Sequence, residues 1–219
     1  MKSSIHTALS GTAAVAVLCL TAGCSDLAGG DAAAVYEMAK GLWSGGSKVT
    51  LQDAAAIPYA SIGVSLGGGP QVMLVLATDS GGERLWTSAA RVAITTDRNG
   101  RIIRTSGLGH DLSGYAPEGD TVSPSGERVL HWQADFPDLG VFGVSITCEE
   151  RPAVDDTIVI LGKEIQTQRI EEKCVGRQLG WKFKNTYWKD PDSDFAWRSI
   201  QHVNPKLDAI ETETLRPPA

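Results

Sequence analysis

The chain has 219 residues, of which 42% are hydrophobic and 21% charged, and its formal net charge is −6. A chain of this length supports one well-packed hydrophobic core. Its acidic balance argues against nucleic acid as a partner, because that binding needs clustered Lys and Arg to displace counterions from phosphates.

Residues 1–23 have the layout of a secretory signal peptide. Lys2 gives a short positive region, Ala8–Leu20 is apolar, and small residues lead into Cys24. The apolar run is too short to cross a bilayer comfortably. The stretch Leu20–Ser25 resembles the bacterial lipobox, which implies that cleavage precedes Cys24 and that this cysteine carries the lipid. Several acyl chains on one residue make a firm membrane anchor. Ser25, in place of Asp, resembles the pattern of outer-membrane lipoproteins and predicts an outer-membrane location. The lipid-anchored domain is expected to face the periplasm.

Residues 24–48 are predicted to form a lipid-anchored tether and a short helix. Ser25–Asp31 is small and Gly-containing, as flexible linkers are. Asp31 is placed to N-cap a helix over Ala32–Trp43, which Gly45 and Gly46 then end. Apolar residues recur at helical spacing on one side of that helix: Val35, Met38, Ala39, Leu42 and Trp43.

Residues 49–219 are predicted to be a single β-rich domain. Alternation such as Val92 and Ile94 indicates half-buried strands, and Gly-rich or Asn-Gly segments supply turns. Ser113–Glu127 has no apolar period and is predicted to be an exposed loop. Without alternating long helices, the pattern favours a mainly β fold, an antiparallel barrel or half-barrel-like meander with one short N-terminal helix. Strand-like runs fall at Tyr59–Leu66, Gln71–Thr78, Arg84–Ser88, Arg91–Thr96, Arg101–Ser106, Arg128–Phe136, Val141–Glu149, Asp156–Leu161, Lys163–Val175, Trp181–Lys189, Phe195–Val203 and Asp208–Leu215.

Cys148 and Cys174 are the two cysteines left after the signal peptide and the lipid site are set aside. In an exported protein such a pair predicts a disulfide. The alternative is two free buried thiols, since geometry is not readable from sequence.

An ordered set of phrases in the mature chain resembles the YjbF/GfcB family of group 4 capsule lipoproteins. The phrases are Pro58–Ile62, Leu66–Gln71, Gly100–Leu108, Glu171–Cys174, Asn185–Trp188 and Trp197–Gln201. The resemblance implies an all-β barrel-like fold, an envelope location and a function in capsule or exopolysaccharide clusters. It also implies a large outer-membrane β-barrel protein as a neighbour, and it carries no catalytic residue set.

The sequence offers only weak candidates for catalytic or metal-binding residues. His110 and Asp111 follow a Gly-rich turn, but a nucleophile elbow is absent. Glu149-Glu150 and Glu171-Glu172 invite glycosidase chemistry. Neighbours on a strand point to opposite faces, however, so one member of each pair is expected to face solvent. No clustered metal-ligand motif occurs, and we predict neither catalytic residues, metal nor cofactor.

Four residues are candidates for contact with a glycan or a partner protein. Trp188 lies beside two lysines and suits stacking on a sugar ring. Arg101 and Arg104 flank two isoleucines and are able to meet acidic sugars or a partner carboxylate, or else are ordinary edge-strand charges. Gln201 shares a strand face with aromatic residues.

The leading hypothesis is a non-enzymatic outer-membrane lipoprotein that assists exopolysaccharide or capsule export or assembly by contact. One alternative is a polysaccharide-modifying enzyme using Glu172, His110 or Asp111. Another is a carrier of an apolar ligand inside a half-barrel, which needs a wide dry cavity rather than a filled interior.

Overall fold

The computed structural model of the protein describes residues 47–218. The signal peptide, Cys24 and the helix predicted over residues 32–43 lie outside the described residues. One short α-helix, α1 (Leu51–Ala56), precedes thirteen strands. The strands are β1 (Ser61–Leu66), β2 (Val72–Ser80), β3 (Glu83–Thr87), β4 (Ala93–Asp97), β5 (Ile102–Ser106), β6 (Gly114–Val122), β7 (Arg128–Phe136), β8 (Val141–Glu150), β9 (Val154–Ile160), β10 (Lys163–Gly176), β11 (Trp181–Lys189), β12 (Ala196–Gln201) and β13 (Ile210–Arg216).

The strands form one antiparallel sheet that curls into a nearly closed barrel. Its order is β5-β4-β3-β2-β1-β13-β12-β11-β10-β8-β7-β6, and β9 pairs with the first half of β10. The two edges, β5 and β6, follow each other in the chain. In the connection between them the Thr105 N–H donates to the Leu112 carbonyl at 2.8 Å. This architecture confirms the prediction of a mainly β, barrel-like meander.

Apolar side chains from most strands fill the interior. On β8 the buried residues Val144, Ile146 and Cys148 alternate with more exposed ones, as one face of a strand requires. Trp86, Phe136 and Ile210 add large buried side chains from other strands. The barrel interior is therefore filled with side chains. A filled interior argues against a carrier that holds an apolar ligand inside the barrel.

Strand β6 corrects one prediction from the sequence. Ser113–Glu127 is predicted to be a loop, which is wrong for Gly114–Val122, because these residues pair with β7. The register breaks between Pro117 and Gly119, and most of the strand is exposed. An edge strand tolerates proline and a bulge because one side needs no ladder hydrogen bonds, so the usual loop signals mislead there.

Helix α1 begins with a capping box. The Thr50 hydroxyl accepts from the Asp53 N–H, and the Asp53 carboxylate accepts from the Thr50 N–H at 2.9 Å. Just before it, the Val49 N–H donates to Gln71 Oε1 at 3.0 Å, and Lys48 pairs with Glu213 at 3.3 Å. The start of the described chain is thereby fixed against β2 and β13. Over the described residues, no helix has the length and hydrophobicity needed to traverse a membrane.

Candidate functional site

A polar pocket of about 170 Å³ opens at one end of the barrel. The turn between β4 and β5 reaches across this end toward β6, β7, β8, β10 and β11. Side chains from all of these elements and from the loop before β12 line the pocket: Asp97, Asn99, Arg101, Tyr115, Asp120, Arg128, Leu130, Glu150, Glu172, Tyr187, Lys189 and Asp194. Of the four contact candidates predicted from the sequence, Arg101 lies in this lining.

Arg101 makes a buried ion pair in the pocket floor. Its guanidinium donates two hydrogen bonds to the Glu172 carboxylate, one of them from Nη1 at 3.2 Å. The two side chains are only 12% and 2% exposed. Asn185 Nδ2 donates to the same carboxylate at 3.4 Å. Arg101 is thus paired with a carboxylate of its own chain, and this ion pair fixes the position of its guanidinium.

Gln201 lies directly behind this ion pair. Its Oε1 accepts from the Ile102 N–H at 2.9 Å and from the Tyr187 hydroxyl at 3.2 Å. Its Nε2 donates to the Gly100 carbonyl and to Ser199 Oγ, both at 2.8 Å. Burial raises the pKa of Tyr187 well above its ordinary value, so the hydroxyl keeps its proton and donates. Gln201 therefore positions the β4–β5 turn rather than facing solvent.

Glu150 and Glu172 are direct cross-strand neighbours on β8 and β10. Burial is the main cause that raises the pKa of Glu150, and the charge of Glu172 adds to it, against the opposing charge of Arg128. The expectation that adjacent glutamates point apart holds within each pair. The meeting of the inward members of the two pairs is not predictable from the sequence alone, because it depends on the β8–β10 register.

Most of the other charged side chains of the pocket form ion pairs, and Asp97 accepts hydrogen bonds from the backbone N–H groups of Asn99 and Arg101. Arg128 binds Asp120 at 2.6 Å and Glu150 at 3.6 Å, and Lys189 binds Asp194 at 2.8 Å. The lining holds five carboxylates against three cationic side chains. The balance is negative, which disfavours an acidic ligand and suits hydroxyl or amino groups.

Cys148 and Cys174 lie opposite each other in the β8–β10 ladder, two positions from the two glutamates. Their sulfur atoms are 2.08 Å apart, at bonding distance, and their Cα atoms are 4.0 Å apart. The sulfurs and a Glu172 oxygen form the group of close metal-ligand atoms that the described residues contain. Those atoms are already engaged with each other and with Arg101, so the group does not offer a metal site.

Trp188 and Arg104 lie away from the pocket. Trp188 is half-buried, its Nε1 donates to Asp156 at 2.9 Å, and Arg198 sits 5.7 Å above its ring. Arg104 is exposed and borders a depression on the outer surface of β2–β5. The structure does not bring these two residues together with Arg101 and Gln201.

His110 and Asp111, the residues considered for hydrolysis, support the β5–β6 connection. His110 Nδ1 lies 2.7 Å from Asp138. The Asp111 carboxylate accepts from the Thr105 hydroxyl at 2.8 Å and from the Gly107 N–H at 3.1 Å. Neither residue lies in the polar pocket's lining.

The fold and the pocket define a class of protein: an antiparallel β-barrel-like domain with a filled interior and a small polar pocket at one end. The chain belongs to the family described as group 4 capsule polysaccharide lipoprotein gfcB, YjbF, whose profile matches residues 38–215. This match confirms the resemblance seen in the sequence.

Individual relatives agree with this assignment. An uncharacterized lipoprotein YjbF of Escherichia coli K12 is 32% identical over 78 residues, which is 33% of this chain and 36% of that relative. The crystal structure of the hypothetical lipoprotein YmcC of Escherichia coli K12 has a TM-score of 0.61 at 18% identity, and the alignment covers 84% of this chain and 96% of that one. The YmcC likeness shows that the fold is shared.

Proposed function

We propose that this protein is a non-enzymatic lipoprotein, anchored through Cys24 in the outer membrane and facing the periplasm, that assists exopolysaccharide or capsule export or assembly by contact. The family assignment supports the link to capsule polysaccharide. The observation that carries the contact mechanism is the polar pocket, whose lining is fixed by the Arg101–Glu172 pair and by Gln201.

The pocket's size and charge narrow the ligand to a small part of a glycan. Enclosing small-molecule sites have volumes of roughly 300–1,000 Å³. A pocket of about 170 Å³ takes one sugar or a side group instead of a buried segment of chain. With five carboxylates against three cations, the ligand is a neutral or amino-bearing sugar. This replaces the acidic sugar considered from Arg101 alone, because Glu172 already neutralises that arginine.

The test fills the pocket mouth without disturbing its floor. Asn99 is an exposed turn residue in the lining, and Arg98 is its exposed neighbour outside the lining. In a deletion strain, complementation with Asn99→Trp is expected to leave surface polysaccharide as low as in the uncomplemented strain. Arg98→Trp is expected to restore it. Equal restoration by both variants would contradict a function for the pocket.

Lipid anchoring is tested separately. Mass spectrometry of the mature protein is expected to show a diacylglyceryl thioether and an acylated amino group on Cys24. Cys24→Ser is expected to release the protein from the membrane fraction. An unmodified Cys24 in a freely diffusing product would overturn the anchor and leave the pocket experiment unaffected.

Trp188 and Arg104 are proposed as surface positions for an outer-membrane β-barrel partner. A photo-cross-linking residue at position 188 or 104 is expected to capture such a protein in intact membranes. A probe at position 99 is expected to capture glycan instead. Recovery of glycan from positions 188 and 104 would reverse these assignments.

A second candidate is a polysaccharide-modifying enzyme, which the meeting of Glu150 and Glu172 favours. Glycoside hydrolases use two carboxyl groups that face each other, and burial raises the pKa of Glu150 as the general acid of such a pair requires. Against it, Arg101 and Asn185 already occupy the Glu172 carboxylate. Shortening of purified polysaccharide by the wild-type protein, abolished in Glu150→Gln, would establish the enzyme; unchanged polysaccharide size would reject it.

A further inference from the structure

A second cavity, of about 510 Å³, lies outside the barrel and is mainly apolar. The hairpin of β9 and the first half of β10 extends beyond the end of β11, and Arg198 of β12 donates to the Val159 carbonyl of that hairpin at 3.2 Å. The apolar cleft is defined by the side chains Leu51, Ile160, Leu161, Ile165, Trp197, Leu215 and Pro217. It has a different lining from the polar pocket and needs a different occupant.

The hairpin turn places a leucine in the cleft at a backbone cost. Leu161 has φ +50° and the following Gly162 has φ +78°, the left-handed values typical of a two-residue hairpin turn. Asn or Gly normally fills the first position, because a residue with a larger side chain is strained in this conformation. Leu161 is half-buried and lines the cleft, so an apolar side chain stands where the turn favours Asn or Gly.

The start of the described chain leads directly to the cleft. Leu51, in the first turn of α1, is one of its lining residues and is 64% exposed. Lys48 and Val49 are fixed against Glu213 and Gln71. The described chain therefore begins beside the cleft.

The sequence that precedes Lys48 contains apolar side chains that suit an apolar cleft. Residues 32–43 carry the apolar stripe that ends at Leu42 and Trp43. Trp43 and Leu51 are eight positions apart, and eight residues of extended chain reach at most about 29 Å. The family profile begins at Met38, within this segment, so the family includes residues that precede the barrel.

We propose that the apolar side of residues 32–43 docks in the apolar cleft. The segment is covalently attached next to the cleft, so its effective concentration there is high and a modest apolar contact is enough to hold it. Exposed Leu51 and strained Leu161 are then covered together.

Docking sets the distance between the barrel and the membrane. This consequence rests on the proposed lipid on Cys24. With residues 32–43 docked, only the stretch from Cys24 to Ala32 connects the lipid to the domain, at most about 29 Å of extended chain. The cleft side of the barrel is then held near the bilayer, and its position is not left to a long tether.

The test uses paired cysteines in the full chain and a short bismaleimide cross-linker. Leu42→Cys with Ile165→Cys places one thiol on the apolar stripe and one in the cleft. Glu37→Cys with Ile165→Cys is the matched control, because position 37 lies on the opposite side of a helix over this segment. Both pairs are made in the Cys24→Ser background, so the result does not depend on lipidation.

Efficient intramolecular cross-linking is expected for the pair at positions 42 and 165, at least several-fold above the pair at 37 and 165. Adding Leu161→Asn, which suits the turn but removes the apolar contact, is expected to lower the cross-linking yield. Equal yields from the two pairs would overturn the proposal. Cross-linked dimers in place of intramolecular products would do so too, assigning the cleft to a second copy.

Discussion

Arg101 and Glu172 lie 71 positions apart in the chain, yet the guanidinium of one makes two hydrogen bonds to the carboxylate of the other. Arg101 precedes the edge strand β5, whereas Glu172 lies in β10, which is remote from β5 in the order of the sheet. The pair therefore bridges the end of the barrel and holds the β4–β5 turn over the polar pocket.

Removal of Arg101 is expected to be strongly destabilising. In Arg101→Ala, the Glu172 carboxylate stays in a position that is 2% exposed and loses its main partner. Breaking one side of a buried ion pair costs about 3–5 kcal/mol. Urea unfolding at neutral pH is expected to show this loss, whereas Lys184→Ala, which breaks the exposed pair with Glu171, is expected to change stability by less than about 1 kcal/mol.

Replacing both partners separates the effect of charge from that of packing. Arg101→Met with Glu172→Leu leaves no unpaired charge, so the double variant is expected to recover most of the stability lost in Arg101→Ala. If the double variant is no more stable than Arg101→Ala, the pair's contribution is not electrostatic. Because the Met side chain does not reproduce the pocket floor, this variant is informative for stability and not for glycan binding.

Glu150 makes stability depend on pH. Burial raises its pKa, so the folded protein holds this proton to a higher pH than the unfolded chain does. The free energy of unfolding then falls as pH rises from the ordinary glutamate pKa to the raised value, and it stays lower at neutral pH. Glu150→Gln removes this loss, and the variant is expected to gain stability relative to wild type between about pH 4 and pH 7.

The control for this prediction is Glu149→Gln, the exposed neighbour on the outer face of β8. Because that side chain is exposed, Glu149→Gln is expected to change the free energy of unfolding little. Urea unfolding at several pH values measures both. Glu150→Gln also loses the contact with Arg128. This loss is expected to lower the free energy of unfolding by a small amount that does not change with pH, since the Arg128 side chain is 53% exposed. A pH-independent difference for Glu150→Gln would contradict the assignment.

The two cysteines beneath the pocket are expected to form a disulfide in the exported protein. Peptide mapping without reductant is expected to recover Cys148 and Cys174 in one linked peptide. For a sequence separation of 26 residues, the cross-link stabilises by about 3–4 kcal/mol in the chain-entropy model. Reductant is expected to lower the stability of wild type toward that of Cys148→Ser with Cys174→Ser. It is expected to leave the double variant unchanged.

The sequence predicted the elements of the barrel better than the site inside it. Alternation at Val92 and Ile94 and the turn at Asn99-Gly100 are local signals, and β4 and β5 form where they indicate. Strand β6 was missed because Pro117 and Gly119 lie on an edge, where they disrupt little. Local sequence patterns thus mislead at a sheet edge, where a strand needs ladder hydrogen bonds on one side only.

The pocket was not predictable from local patterns, because its central contacts are long-range. Arg101 was identified as a charge able to meet a carboxylate, but nothing near it in the chain indicates Glu172. Gln201 likewise binds the backbone at Gly100 and Ile102, 101 and 99 positions away. The glutamates were recognised as two adjacent pairs, and only the register of β8 with β10 shows which members meet.

The close approach of Gly100 to Ala196 tests whether the β4–β5 turn positions the pocket. Gly100 has φ +86°, and a Cβ added there would lie 2.6 Å from the Cβ of Ala196 on β12. Gly100→Ala is therefore expected to displace the turn, weaken the bonds of Gln201 and cost clearly more than the 1–2 kcal/mol of left-handed strain alone. Gly81→Ala is the matched control, since it has φ +63° and nothing within 4 Å of its added Cβ. It is expected to lose only about 1–2 kcal/mol.

Urea unfolding compares the stabilities of the two variants. Amide hydrogen exchange at Ile102, whose N–H donates to Gln201, reports the position of the β4–β5 turn directly. Faster exchange there in Gly100→Ala but not in Gly81→Ala is the expected result; equal exchange would mean that the turn holds its place without this packing.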